Sequence, residues 1–150
     1  VYLRKAWAKD LPNATNEEPT MAHILVADWD ETDRVQMWKI LEEEGHELLF
    51  AKDGKQAMEI WEKNPIDLVI TELLMPELSG LRLIRELVDR APRVRIIAIS
   101  VEDADMLDLA EDFGAAKILY KPLSQEALLQ AVEEALKDYR PRRGDSWRER

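Results

Sequence analysis

A chain of 150 residues with 46% hydrophobic content holds one domain of ordinary size with a full core and room for flanking segments. The absence of cysteine excludes disulfides and thiolate-bound zinc, and His23 and His46 lie too far apart in sequence to point to a histidine metal site. A net charge of -10 works against nucleic-acid binding by the domain itself, and no run is apolar enough for a membrane span or ordered like a signal peptide, so a cytoplasmic location is expected.

Residues 1–20 carry a short helical pattern around Leu3 and Trp7, then the breakers Leu11-Pro12-Asn13 and Glu17-Glu18-Pro19, and read as an N-terminal extension or linker. Regular signals begin at His23. Ile24-Leu25-Val26-Ala27 is a short apolar run that ends at an acid, Asp28, followed by Trp29 and Asp30. Thr32 is placed to cap a helix whose apolar stripe is Val35, Met37, Trp38 and Leu41, closing at Glu42-Glu43-Glu44-Gly45. A strand follows over 47–51, a turn at Asp53-Gly54, and a helix marked by Ala57, Ile60 and Trp61 that ends near Asn64-Pro65.

Ile66, Leu68, Val69 and Ile70 form a nearly continuous apolar run, the pattern of a strand buried on both faces in a parallel sheet. It ends at Glu72. Met75-Pro76 breaks the chain, Ser79-Gly80 starts a helix carrying Leu81, Ile84, Leu87 and Val88, and the strand over 94–99 ends at Ser100. A helix over 103–113 stops at Gly114, a strand over 115–120 runs into Lys121, and a last helix spans 124–139. Arg140, Arg142, Arg143, Arg148 and Arg150 make 140–150 a basic tail or linker without an apolar period. Five alternations of strand and helix imply an α/β fold, a parallel sheet covered on both sides. Asp28, Glu72, Ser100 and Lys121 all lie where strands run out, and open parallel sheets place their chemistry at that carboxyl edge.

HILVADWDETDR, DLVITELLMPELSG, RIIAIS and ILYKPLS, in this order and separated by these helices, resemble the receiver domain of two-component response regulators over residues 21–139. The resemblance implies a flavodoxin-like, doubly wound, five-stranded parallel sheet of order 2-1-3-4-5. Its site lies at the first and third strands, where an aspartate accepts a phosphoryl group from a histidine kinase with magnesium. It places Asp28 on the first carboxylate of the family's acidic pair, with Asp30 beside it in an acidic pocket. Ser100 falls on the hydroxyl that reports phosphorylation, Lys121 on the lysine that pairs with the phosphoryl group, and Pro122 on a proline that often follows a cis bond. Three positions depart from the pattern. Trp29 stands where the second, metal-binding carboxylate is expected, Glu72 replaces the phosphoacceptor aspartate, and Ile118 replaces the aromatic of the switch. No cofactor is firmly implied, and magnesium is left with Asp28 and Glu72 as weak ligands.

One extra methylene carries the Glu72 carboxylate outward by about 1.5 Å, too long for an in-line acceptor and toward the place of phosphoryl oxygens. Two readings stay open: a locked imitation of phosphorylation, with one charge in place of roughly two, or a silent polar strand end. Trp29 either covers Asp28 or lies as partly exposed aromatic surface. The expected function is an atypical receiver acting in signal transduction as a phosphorylation-independent protein-interaction module, and not an enzyme. Its partner, a histidine kinase, an output domain or another signalling protein, is expected on the 103–139 face, with apolar area from Met106, Leu107, Ile118 and Leu129; a homodimer stays open. The alternative is a magnesium-dependent phosphoacceptor receiver in a histidine-kinase phosphorelay. A nucleotide-binding flavodoxin-like protein fits less well, because Gly45, Gly54, Gly80, Gly114 and Gly144 form no phosphate loop.

Overall fold

The short β-branched runs become strands and the stretches between them helices. In the computed structural model, which describes residues 21–101 and 104–137, the order is β1 (His23–Ala27), α1 (Glu31–Glu42), β2 (Glu47–Ala51), α2 (Gly54–Lys63), β3 (Leu68–Glu72), α3 (Gly80–Arg90), β4 (Arg95–Ser100), α4 (Ala104–Phe113), β5 (Lys117–Tyr120) and α5 (Gln125–Leu136). The expectations for 1–20, for the helix start at 103, for the end of the last helix at 138–139 and for the basic tail fall outside the described residues.

All five strands run parallel in the order β2-β1-β3-β4-β5, the flavodoxin-like arrangement expected. β3 is the middle strand, and every residue of it is buried, as its unalternating apolar run requires. Strand residues alternate between two cores. Leu25, Val69, Ile96 and Ala98 pack under α2, α3 and α4 with Trp61, Leu83, Leu87 and Leu107. Ile24, Val26, Leu68, Ile70 and Ile97 face α1 and α5, meeting Met37, Leu41, Leu128 and Val132. Among the described residues no helix is long and apolar enough to cross a membrane.

α1 departs from its sequence reading in two ways. Its N-cap is Asp30 and not Thr32: the Asp30 side chain accepts hydrogen bonds from the backbone N–H groups of Thr32 and Asp33. Its buried stripe is Met37, Ile40 and Leu41, while Val35 and Trp38 lie exposed on another face. Starting the helix two residues earlier leaves Asp33 inside its first turn. The apolar residue types of α1 are spread around the helix, so only contact with the sheet decides which of them are covered.

The end of β3 is braced from behind. A Cβ built on Gly80 would lie 2.0 Å from the Glu72 carbonyl oxygen and 2.7 Å from Leu73 Cα, and Gly80 N donates to the Leu73 carbonyl at 2.8 Å. The first turn of α3 therefore rests directly on the backbone that carries Glu72. Neither backbone segment can yield cheaply, so Gly80→Ala is expected to destabilise the domain by about 3 kcal/mol, the upper range for overpacking. A lowered urea midpoint with an unchanged m-value is the expected measurement.

Candidate functional site

Four neighbouring strands deliver four polar residues to one edge. Asp28 follows β1, Glu72 ends β3, Ser100 ends β4 and Lys121 follows β5, with strands about 4.8 Å apart. The ladder continues past the strand ends and fixes them: Asp28 N donates to Ala51 O at 3.0 Å, Leu73 N to Ile99 O at 3.0 Å, and Lys121 N to Ser100 O at 2.9 Å. Asp28 and Ser100 are fully buried and Glu72 is 2% exposed. Lys121 precedes a cis bond to Pro122.

The centre of the site is the Lys121 ammonium. Its Nζ lies 2.8 Å from Asp28 Oδ2, 2.8 Å from Glu72 Oε2 and 2.7 Å from Asp33 Oδ2. The Asp33 contact is a hydrogen bond. The other two are ion pairs at nearly the same distance but less well aligned, and the buried Ser100 Oγ has no hydrogen-bond partner among the described residues. The second carboxylate oxygens face the backbone: Asp28 Oδ1 accepts from Asp30 N at 2.9 Å, and Glu72 Oε1 accepts a long bond of 3.4 Å from Leu74 N.

The structure thus brings together Asp28, Glu72 and Lys121, with Ser100 buried at the adjoining strand end, and adds Asp33, which sequence reasoning did not select. Its only sequence signal is position, four residues beyond Trp29 at the start of a helix. Asp30 stands at the rim with its Oδ1 engaged in capping α1. Trp29 is 56% exposed. Ile118 pairs with Ala98 inside the sheet and packs, half-buried, against the core on the α2, α3 and α4 side.

The donor set does not fit the magnesium ion that the resemblance implies. Magnesium requires near-octahedral oxygen coordination, whereas Asp28 and Glu72 already face an ammonium at contact distance and position 29 offers an indole. Among the described residues no group of three or more His, Cys, Asp or Glu is arranged to hold a metal.

Burial pushes the Asp28 and Glu72 carboxyls above their ordinary values of 3.8 and 4.5, and the nearby ammonium offsets only part of that rise. Burial acts on Lys121 to lower its pKa, but contact with Asp28, Asp33 and Glu72 outweighs it and leaves the pKa raised. Folded carboxyls with raised pKa values bind protons more tightly than unfolded ones, so their contribution to stability falls as pH rises from about 4 through the raised values. The Lys121 contribution is complete below its ordinary 10.5 and is lost as pH rises through its raised folded pKa. Lys121→Met strands buried charge and is expected to cost about 3–5 kcal/mol at pH 7. The cost should be smaller at pH 4, where Asp28 and Glu72 take up protons, as paired urea titrations would read directly.

Comparison with known proteins agrees with this geometry. The family model of the response regulator receiver domain matches residues 24–133. The response regulator receiver protein CpdR of Brucella abortus (strain 2308) is 31% identical over 117 residues, covering 77% of this chain and 98% of CpdR. The transcriptional regulatory protein GlrR of Escherichia coli (strain K12) is 30% identical over 132 residues, covering 85% of this chain but 29% of GlrR, so the chain spans under a third of that relative. The crystal structure of the receiver domain of NtrX from Brucella abortus superposes with a TM-score of 0.74 at 28% identity, covering 77% of this chain and 99% of that one. A response regulator receiver domain protein from Clostridium thermocellum gives 0.74 at 33% identity, covering 78% and 95%. With the strand order and the site at the ends of β1, β3, β4 and β5, the chain belongs to the response regulator receiver domain family of two-component signalling.

Proposed function

We propose that this receiver domain is a pseudo-receiver, a cytoplasmic protein-interaction module that signals without phosphotransfer, with Glu72 at the phosphoacceptor position. The observation that carries this reading is the Lys121 ammonium, held at 2.7–2.8 Å by three carboxylates in the middle of the pocket. An acceptor needs a carboxylate oxygen in line with its donor and open to it. Glu72 Oε2 is buried against the ammonium, and Glu72 as a whole is 2% exposed.

Of the two readings of Glu72, the silent strand end has the better support. A side chain imitating a phosphoryl group would engage both Lys121 and Ser100. Glu72 reaches Lys121, but Ser100 Oγ has no hydrogen-bond partner among the described residues, and Ile118 offers no aromatic ring to turn on such a signal. The module then presents one constant surface.

The surface formed by α4, β5 and α5 is the one we assign to the partner, a histidine kinase, an output domain or another signalling protein. Leu107, expected there, is in the core at 1% exposure, and Leu109 and Tyr120 supply the exposed apolar area instead, at 43% and 57%. Asp105, Asp108, Glu111 and Asp112 are all exposed on α4, with no basic residue on that helix. Lys117 of β5 is paired with Glu134 of α5. Like charge on α4 opposes pairing of two copies through it and favours a partner with basic residues.

The unpartnered Ser100 hydroxyl beside a family-like lysine favours the second reading, a magnesium-dependent phosphoacceptor. Incubation with acetyl phosphate and magnesium, followed by intact-mass measurement, separates the two. The native chain should stay unlabelled, and millimolar magnesium should barely move its Tm, because a ligand that binds the folded state would raise it. The double variant Trp29→Asp/Glu72→Asp should gain one phosphoryl group slowly. Stoichiometric labelling of the native chain would overturn the proposal.

A further inference from the structure

We infer that Asp33 is a positioning residue that limits what Lys121 can serve: it holds the ammonium from the α1 side, together with Asp28 and Glu72, and so competes with any further anion at the end of β3. This rests on the phosphotransfer-free reading above and adds to it a third determinant beside positions 29 and 72. The carboxylate missing at Trp29 reappears four residues on, in the first turn of α1, on the lysine and not on a metal position.

An ammonium has three N–H donors. Three carboxylate oxygens stand at 2.7–2.8 Å from the Lys121 Nζ, enough to engage all three donors, and Asp33 takes the best-aligned of these contacts, at 2.7 Å. The Asp33 side chain keeps 28% exposure against 0% and 2% for the other two, so its charge costs less desolvation than theirs. The Asp33 position is itself fixed. Its backbone N–H donates to the Asp30 cap at 3.3 Å, its negative charge suits a helix N-terminus, and Gln36 Nε2 reaches Leu123 O at 3.5 Å one turn further along. Two contacts therefore tie α1 to the segment around Lys121.

It follows that restoring a short carboxylate at position 72 and an oxygen ligand at position 29 leaves the lysine still committed elsewhere. In the labelling reaction a carboxylate oxygen at position 72 attacks phosphorus, the bond from phosphorus to the acetyl oxygen breaks, and acetate leaves with that electron pair. Lys121 would assist by donating to the transferred group, which it does fully only once released from Asp33. Comparing Trp29→Asp/Glu72→Asp with the same double variant carrying Asp33→Asn, we expect labelling at least tenfold faster in the triple variant, the effect of one charge-assisted hydrogen bond.

A second measurement needs no labelling. In the otherwise native chain, Asp33→Asn should make the Lys121 amine several-fold more reactive toward an acylating reagent at pH 9, read by peptide mass, with other lysines unchanged, whereas Asp33→Glu should keep Lys121 slow. Equal labelling rates together with unchanged Lys121 reactivity would overturn the assignment of Asp33 and leave the phosphotransfer-free reading standing. Labelling of the native chain would overturn that reading instead. If neither engineered chain is labelled, the amine reactivity alone decides.

Discussion

Buried charge at the carboxyl edge is the constraint under which this domain folds. A five-stranded sheet of this order collects the ends of β1, β3, β4 and β5 at one place, and the chain puts two buried acids there. Leaving both ionised and unpaired would cost several kcal/mol each, a large fraction of the stability of a domain this size. Lys121 resolves the conflict because β5 brings its ammonium to the same edge from the opposite side. The arrangement is nevertheless one positive charge against three negative ones, and the raised carboxyl values of Asp28 and Glu72 record what remains uncompensated.

The departures from the family pattern at Trp29, Glu72 and Ile118 spare the architecture. The sheet needs apolar β-branched residues in its interior and acids or small polar groups only where the strands end, and Trp29, Glu72 and Ile118 leave the interior pattern intact. Ile118 is still a good β5 residue against Ala98. An exposed indole at position 29 costs the fold little, since it enters neither core cluster.

The order of elements and the position of Asp28, Glu72, Ser100 and Lys121 at strand ends were legible in the sequence because each rests on a local pattern: an apolar run, then a polar stop. Contacts between distant segments were not. Asp33 and Lys121 are 88 positions apart, and no local pattern marks Asp33 as anything but a surface acid in a helix. The same limit applies to α1. Val35 and Trp38 look as apolar as Met37 and Leu41, and only the direction in which the sheet lies separates the covered pair from the exposed one. Leu107 was expected on the surface and is buried for the same reason, while Leu109, two positions on, is exposed. The Asp30 cap was hidden by a second good capping residue, Thr32, two positions later.

The close seat of Gly80 against the Glu72 carbonyl gives position 72 a fixed origin. With α3 pressed on the backbone from behind, the strand end cannot retreat to absorb a longer side chain, so any length added at this residue is delivered whole at its tip. The position acts as a ruler anchored at one end. An aspartate and a glutamate there differ by the full reach of one carbon, and the neighbour that meets the difference is the lysine across the pocket rather than the main chain beneath.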